Sequence, residues 1–130
     1  MCKEKIDKIT SHIIQCAYTV QRKLGYGFLE TVYREALYIE LSKFFSNISK
    51  EKELSVYYEG QKIGLFRADM VVENEVILEL KTSIKTTSAH IAQLDNYLTA
   101  TKISDGLLLN FTPNGLEVRR RFGPTARNRT

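Results

Sequence analysis

Tryptophan is absent from this 130-residue chain, and cysteine, proline, methionine and histidine occur only twice each. Cys2 and Cys16 make no disulfide framework, and with two distant histidines they leave no Cys/His zinc cluster. Cys16 falls on an apolar helical stripe and reads as a small core residue. Aliphatic stretches such as Leu107-Leu108-Leu109 stop at three residues. A membrane span needs about 18, so no membrane partner is expected. The opening Met1-Cys2-Lys3-Glu4-Lys5-Ile6-Asp7-Lys8 mixes charges without an apolar block, unlike a secretory signal. The expected location is cytoplasmic.

Acids are missing from the last twelve residues, which hold Arg119, Arg120, Arg121, Arg127 and Arg129. The first 118 residues carry the other 14 basic and all 15 acidic side chains. A near-neutral body with a basic end suits a polyanionic partner, although a solubilising tail explains the charge equally well. The remaining composition, 43% hydrophobic and 26% charged, is that of a globular chain rather than a disordered one. A domain of this length buries roughly two thirds of its unfolded surface, enough to fold without a staple. One domain is expected over residues 1–122, followed by a basic tail over 123–130 without apolar periodicity.

Ile6, Ile9, Ile13, Cys16, Val20 and Leu24 recur at helical spacing, which predicts a helix over residues 5–24. Gly25-Tyr26-Gly27 stops it. A second helix is expected over residues 28–45. Leu54, Val56 and Tyr58 alternate as a strand. After a turn at Gly60, alternation resumes at Ile63 and Leu65 and continues through Phe66, Ala68, Met70 and Val72. Residues 76–82 form a further strand. A third helix is expected over 88–101, with Ser88 as N-cap. Residues 106–112 and 116–122 form strands joined by an Asn114-Gly115 turn. The order α-α-β-β-β-α-β-β predicts an α+β domain, an α/β sandwich with helices packed on a mixed central sheet.

Three sets of polar residues do not fit that core. Asp69 lies in one apolar strand; Glu79 and Lys81 lie in the next, two apart and so on one face. Charges inside such strands are costly unless they are paired or bind a metal. A two-residue loop at Asn74-Glu75 would set Asp69 opposite Leu80. A three-residue loop, Glu73-Asn74-Glu75, sets it opposite Glu79, about 5 Å away. Two carboxylates that close protonate or hold a cation, and the three-residue loop is the expectation. Oxygen ligands suit Mg²⁺ or Mn²⁺, and Lys81 alongside can orient a water. An ion pair of Lys81 with Glu79 or Asp69, without metal, fits the spacing equally well.

His90, Gln93 and Tyr97 share a stripe of the third helix. A Gln–Tyr pair can meet a phosphate or an active-site water, yet on spacing alone a tyrosine packing on the sheet fits better. His90 reads as a boundary histidine. Glu30 shares a stripe with Tyr33 and Leu37, which turns an acid toward the core side. Compensation of the helix N-terminus, about 0.3–1 kcal/mol, explains it as well as a metal pocket does.

The run Gly27-Phe28-Leu29-Glu30-Thr31-Val32-Tyr33 resembles the signature of the GxxExxY proteins, a family assigned to the PD-(D/E)XK nuclease superfamily. The resemblance extends from about Ile6 to Arg121. It includes Phe66-Arg67-Ala68-Asp69, Glu79-Leu80-Lys81, and the helix from His90 to Leu98. It implies a restriction-endonuclease-like fold and a Mg²⁺- or Mn²⁺-dependent nuclease. Asp69 and Glu79 would bind the cation, with Glu30 and the Leu80 backbone carbonyl as further ligands, and Lys81 would assist the attacking water. Gln93 and Tyr97 resemble the Gln-x-x-x-Tyr element of RecB-like members. Ala68 stands where the superfamily's name has proline. The partner implied is nucleic acid, DNA in the first place, with Lys85, His90, Lys102, Arg119 and Arg121 along its backbone. A homodimer or larger assembly is compatible, as is a non-catalytic binding module for nucleic acid or protein on the same fold.

Overall fold

The computed structural model describes residues 2–128. Two helices, α1 (Lys3–Leu24) and α2 (Glu30–Leu41), precede the strands β1 (Ile48–Tyr58), β2 (Gln61–Val72) and β3 (Val76–Lys81). Helix α3 (Ser88–Thr101), strands β4 (Asp105–Thr112) and β5 (Gly115–Phe122) and a 3₁₀ helix at Pro124–Asn128 follow. The five strands form one sheet in the order β1-β2-β3-β4-β5. All pairings are antiparallel except β3–β4, which is parallel and is joined by the α3 crossover.

The sheet separates two apolar clusters. On one side Ile6, Ile13 and Val20 of α1 and Tyr33, Leu37 and Leu41 of α2 pack on Met70, Val72, Leu78, Leu80, Leu107 and Leu109. On the other, Leu94 and Leu98 of α3 pack on Phe66, Ala68, Val71, Ile77 and Leu108. Cys16 is buried in the first cluster.

The expected alternation of β2 breaks. Met70 and Val72 face the α1/α2 cluster, whereas Phe66 and Ala68 belong to the α3 cluster. Strand β1 changes face with it: Ile48 packs with the first cluster, Leu54 and Val56 with the second. Between these stretches Glu51 takes a left-handed φ of +50°. Lys50 and Lys52 pair with Met70 and Ala68, but Glu51 and Asp69 between them do not appear as a pair in the ladder. An unpaired, reversed step of this kind turns the side chains over without changing the register. Asp69 therefore sits at an irregularity of the sheet.

Other boundaries also differ from the expectation. Strand β1 starts at Ile48, because the charged stretch before Leu54 is held on an edge strand. Lys50 bonds Glu35 at 2.7 Å and lies 4.4 Å from the Tyr38 ring, and Arg34 bonds Glu51 at 3.1 Å. Charged side chains are common on edges, where they discourage further pairing. Helix α2 ends at Leu41 instead of 45. Thr87, not Ser88, caps α3: its hydroxyl accepts the His90 N–H (3.2 Å), while His90 Nδ1 accepts the Thr87 N–H (3.3 Å). The last hairpin turns on Pro113 and Asn114, since Gly115 already pairs with Thr112. Beyond Phe122, the Gly123 N–H donates to Ser104 O at 2.7 Å and leads into the 3₁₀ turn. Arg129 and Thr130 of the expected tail lie outside the described residues.

Candidate active site

Residues 25–28 prepare the start of α2. Gly25 and Gly27 take φ of +70° and +119°, backbone that side chains resist. Tyr33, fully buried, donates its hydroxyl to Gly25 O and accepts the Phe28 N–H at 3.4 Å. Its ring stacks on Phe111 at 4.2 Å. Glu30 begins the helix and is exposed, so the acid expected on the core side is not buried there. The first turn extends past the buried stripe, which starts at Tyr33.

Glu73, Asn74 and Glu75 form the three-residue connection expected between β2 and β3. The ladder runs Val72↔Val76, Val71↔Ile77 and Met70↔Leu78. One step further, Asp69 stands across from Glu79. The strands part there: the Leu80 N–H donates 2.8 Å to Asp69 Oδ2 instead of to a backbone oxygen of β2. Asp69, Glu79 and Lys81 are each half-buried. On the β3 face that carries Ile77, Glu79 and Lys81 point to the α3 side.

Burial, and then the facing Asp69 carboxylate, push Glu79 from an ordinary 4.5 up to about 8; the Lys81 charge pulls the other way. Glu79 Oε1 is buried and accepts no hydrogen bond. A buried carboxylate oxygen without a donor is costly as an anion. The Tyr97 phenol is raised by burial and then by the Glu79 charge, while its hydrogen bond with Gln93 lowers it. Tyr97 is half-buried and stacks on Phe66 at 3.6 Å, and Gln93 is exposed. Asp69, Glu79, Lys81, Gln93 and Tyr97 thus form one neighbourhood.

The other predicted residues lie elsewhere or have work of their own. Among the described residues no three His, Cys, Asp or Glu side chains gather closely enough to hold a metal ion, so Glu30 does not join Asp69 and Glu79 in such a group. His90 is engaged in the α3 cap. Arg121 meets Asp95 of α3 through two bonds of 2.8 Å. Lys85, Lys102 and Arg119 are exposed.

Two supporting residues escape a reading by motif. Asn110 is fully buried in β4; its Oδ1 accepts the Ser83 N–H (2.9 Å) and its Nδ2 reaches Thr86 Oγ1 (3.3 Å). Glu117 of β5 accepts the Thr86 N–H at 2.7 Å, which keeps its carboxyl below the usual range. Both pin the β3–α3 connection, and with it the placement of Gln93 and Tyr97 over Glu79. An amide inside the apolar run Leu107–Phe111 is the same kind of anomaly as Asp69 and was there to be seen.

A family model described as PD-(D/E)XK nuclease superfamily matches residues 7–122. No curated protein matches the chain. Among solved structures, the crystal structure of SSO0001 superposes with a TM-score of 0.57 at 26% identity, over 73% of this chain and 50% of that one. The chain spans half the length of that protein. No helix among the described residues is long and apolar enough to cross a membrane.

Proposed function

Because the chain belongs to the PD-(D/E)XK nuclease superfamily, and has its α+β restriction-endonuclease-like fold, we propose that it is a metal-dependent nuclease. In this reading it hydrolyses phosphodiester bonds of DNA in the cytoplasm with Mg²⁺ or Mn²⁺. One observation carries the reading: Glu79, with a buried, unpartnered Oε1, faces Asp69 where the β2–β3 ladder opens.

The donor set fits a hard cation. Mg²⁺ typically takes one or two carboxylates, keeps several waters and completes its shell with substrate phosphate; a three-acid cage is not required. Asp69 and Glu79 would supply the carboxylates. An extended residue aims its N–H and C=O at the same edge, so the Leu80 carbonyl shares the opening with Asp69. Glu30, at the α2 N-terminus, is the reserve ligand. When bound, the cation would polarise the phosphate and acidify a water.

Lys81, on the Glu79 face, holds that water and balances charge growing on the phosphate. Gln93 and Tyr97 position the scissile phosphate from above. Lys85, Lys102 and Arg119 track the flanking backbone, with Arg121 held by Asp95. The narrower likeness to GxxExxY proteins belongs to this reading too.

The test is cleavage of single- and double-stranded DNA with Mg²⁺ or Mn²⁺. Asp69→Ala and Lys81→Ala are expected to lower the rate at least a hundredfold, in line with general-acid–base and electrostatic contributions of about 10²–10⁴. No cleavage in either metal, or equal cleavage by Asp69→Ala, overturns it. Among the described residues no third acid gathers with Asp69 and Glu79, which favours a second reading, a binding module without turnover. That reading expects DNA or protein binding that survives Lys81→Ala.

A further inference from the structure

Phe66 and Tyr97 lie face to face on the α3 side of the sheet, their ring centroids 3.6 Å apart and their planes 8° from parallel. Free aromatic pairs prefer an offset stack or an edge-on contact. A separation this small leaves almost no sideways offset, so the frame around the rings sets it. Leu94 and Leu98, both buried, seat α3 on either side of Tyr97. Leu54, the partner of Phe66 across the β1–β2 hairpin, packs in the same cluster and steadies the lower ring. Phe66 reaches this side only because of the reversal at Asp69. Unbroken alternation would send it to the α1/α2 side with Met70.

We propose that Phe66 is a positioning residue of the nuclease: its ring is the floor that holds the Tyr97 phenol beside the acid pair. The proposal rests on the nuclease reading and adds a residue that touches neither cation nor phosphate. Carbon atoms in contact keep about 3.5–4.0 Å apart, so a flat ring fixes the height of the ring that lies on it. A branched aliphatic side chain in its place offers no flat face and lets the upper ring tilt. Phe66 stands three positions before Asp69 on β2. One strand thereby supplies a carboxylate and sets where the tyrosine stands relative to it. In that position the Glu79 charge reaches the Tyr97 phenol. The reversed step serves the site twice: it takes Asp69 out of the ladder and turns Phe66 under α3.

Cleavage kinetics and tyrosine-ring NMR of the full chain test it. In Phe66→Leu, kcat is expected to fall about ten- to a hundredfold, the scale of a misplacement of about 1 Å, with KM changed by less than about twofold. Phe66→Tyr keeps the ring and is expected to keep the rate. In a Tyr97→Leu background, Phe66→Leu should cost nothing further, because Phe66 acts through Tyr97; independent effects would multiply. In metal-free protein, the Tyr97 ring signal, assigned by its loss in Tyr97→Leu, should lie upfield over the Phe66 ring and return in Phe66→Leu. An unaltered kcat in Phe66→Leu, an equal loss in Phe66→Tyr, losses that multiply, or a Tyr97 signal indifferent to Phe66→Leu overturns the proposal. A wild-type protein that cleaves in neither metal overturns the nuclease reading instead, and the NMR signal alone then decides the floor.

Discussion

Replacing Glu79 by glutamine should make the metal-free protein more stable at alkaline pH. In the folded chain, burial and Asp69 raise the Glu79 carboxyl to about 8, whereas the unfolded chain ionises it near the ordinary 4.5. Between those values the folded state binds more protons than the unfolded one. Stability is therefore full below about pH 4.5 and is lost as pH rises through 8. At about 1.36 kcal/mol per unit, the whole interval sets a ceiling of about 5 kcal/mol. Partial contact of the residue with water reduces the expected loss to a few kcal/mol.

Glutamine cannot ionise, and its amide N–H can donate to Asp69 as the protonated carboxyl does. The two proteins should melt alike near pH 5, and the variant should pull ahead by pH 8.5. For a domain of this size roughly 3–5 °C follows each kcal/mol, so a gap on the order of 10 °C is expected. Circular dichroism melts in EDTA from pH 5 to 9 measure it. Parallel curves for the two proteins, or a variant less stable at high pH, would refute the assignment of a proton to the acid pair.

Cation binding must remove that proton. Titration calorimetry with Mg²⁺ or Mn²⁺ in buffers of different ionisation enthalpy should register proton release near pH 7; heats that do not depend on the buffer mean that Glu79 is no ligand. Tyr33→Phe leaves the Gly25 carbonyl and the Phe28 N–H without their shared partner, and denaturant unfolding should register a loss of about 1–3 kcal/mol. Asn110→Leu strands the Ser83 N–H at a similar cost of about 1–3 kcal/mol. Its cleavage rate should fall while metal affinity holds, because the change loosens the α3 approach and leaves the acids in place; an unaltered rate would show that the connection needs no pin.

Element order was legible because each element follows a simple period. Ile6, Ile13 and Val20 at helical spacing, and the three-residue break at Glu73-Asn74-Glu75, suffice to place α1 and to align β2 with β3. The register then brings Asp69 across from Glu79, as the three-residue connection predicts. What escaped depends on long-range partners. The face change at Glu51 and Asp69 is invisible to a period-two pattern, because Phe66, Ala68, Met70 and Val72 look like one stripe. Arg121 reads as free charge until Asp95, 26 residues earlier, arrives beside it. Asn110 stands out as an amide in an apolar run and Glu117 does not, but the role of each appears only when the loop before α3 folds back on them.

The run from Gly27 to Tyr33 separates into residues with a structural cause and one without. Gly27 supplies a φ of +119°, and Tyr33 fills the core while tying back the turn. Both act in architecture. Glu30 is exposed, and neither burial nor packing accounts for an acid there. Its position at a helix start gives the carboxylate about 0.3–1 kcal/mol, a gain aspartate or a capping serine would supply equally. Architecture at Gly27 and Tyr33 fixes where the α2 N-terminus begins, and so fixes where Glu30 is presented. In the nuclease reading proposed above, an acid held this firmly but left uncovered would meet charge brought by a ligand; Glu30→Gln should then lower cleavage without lowering the melting temperature, and an unchanged rate would return the residue to the scaffold.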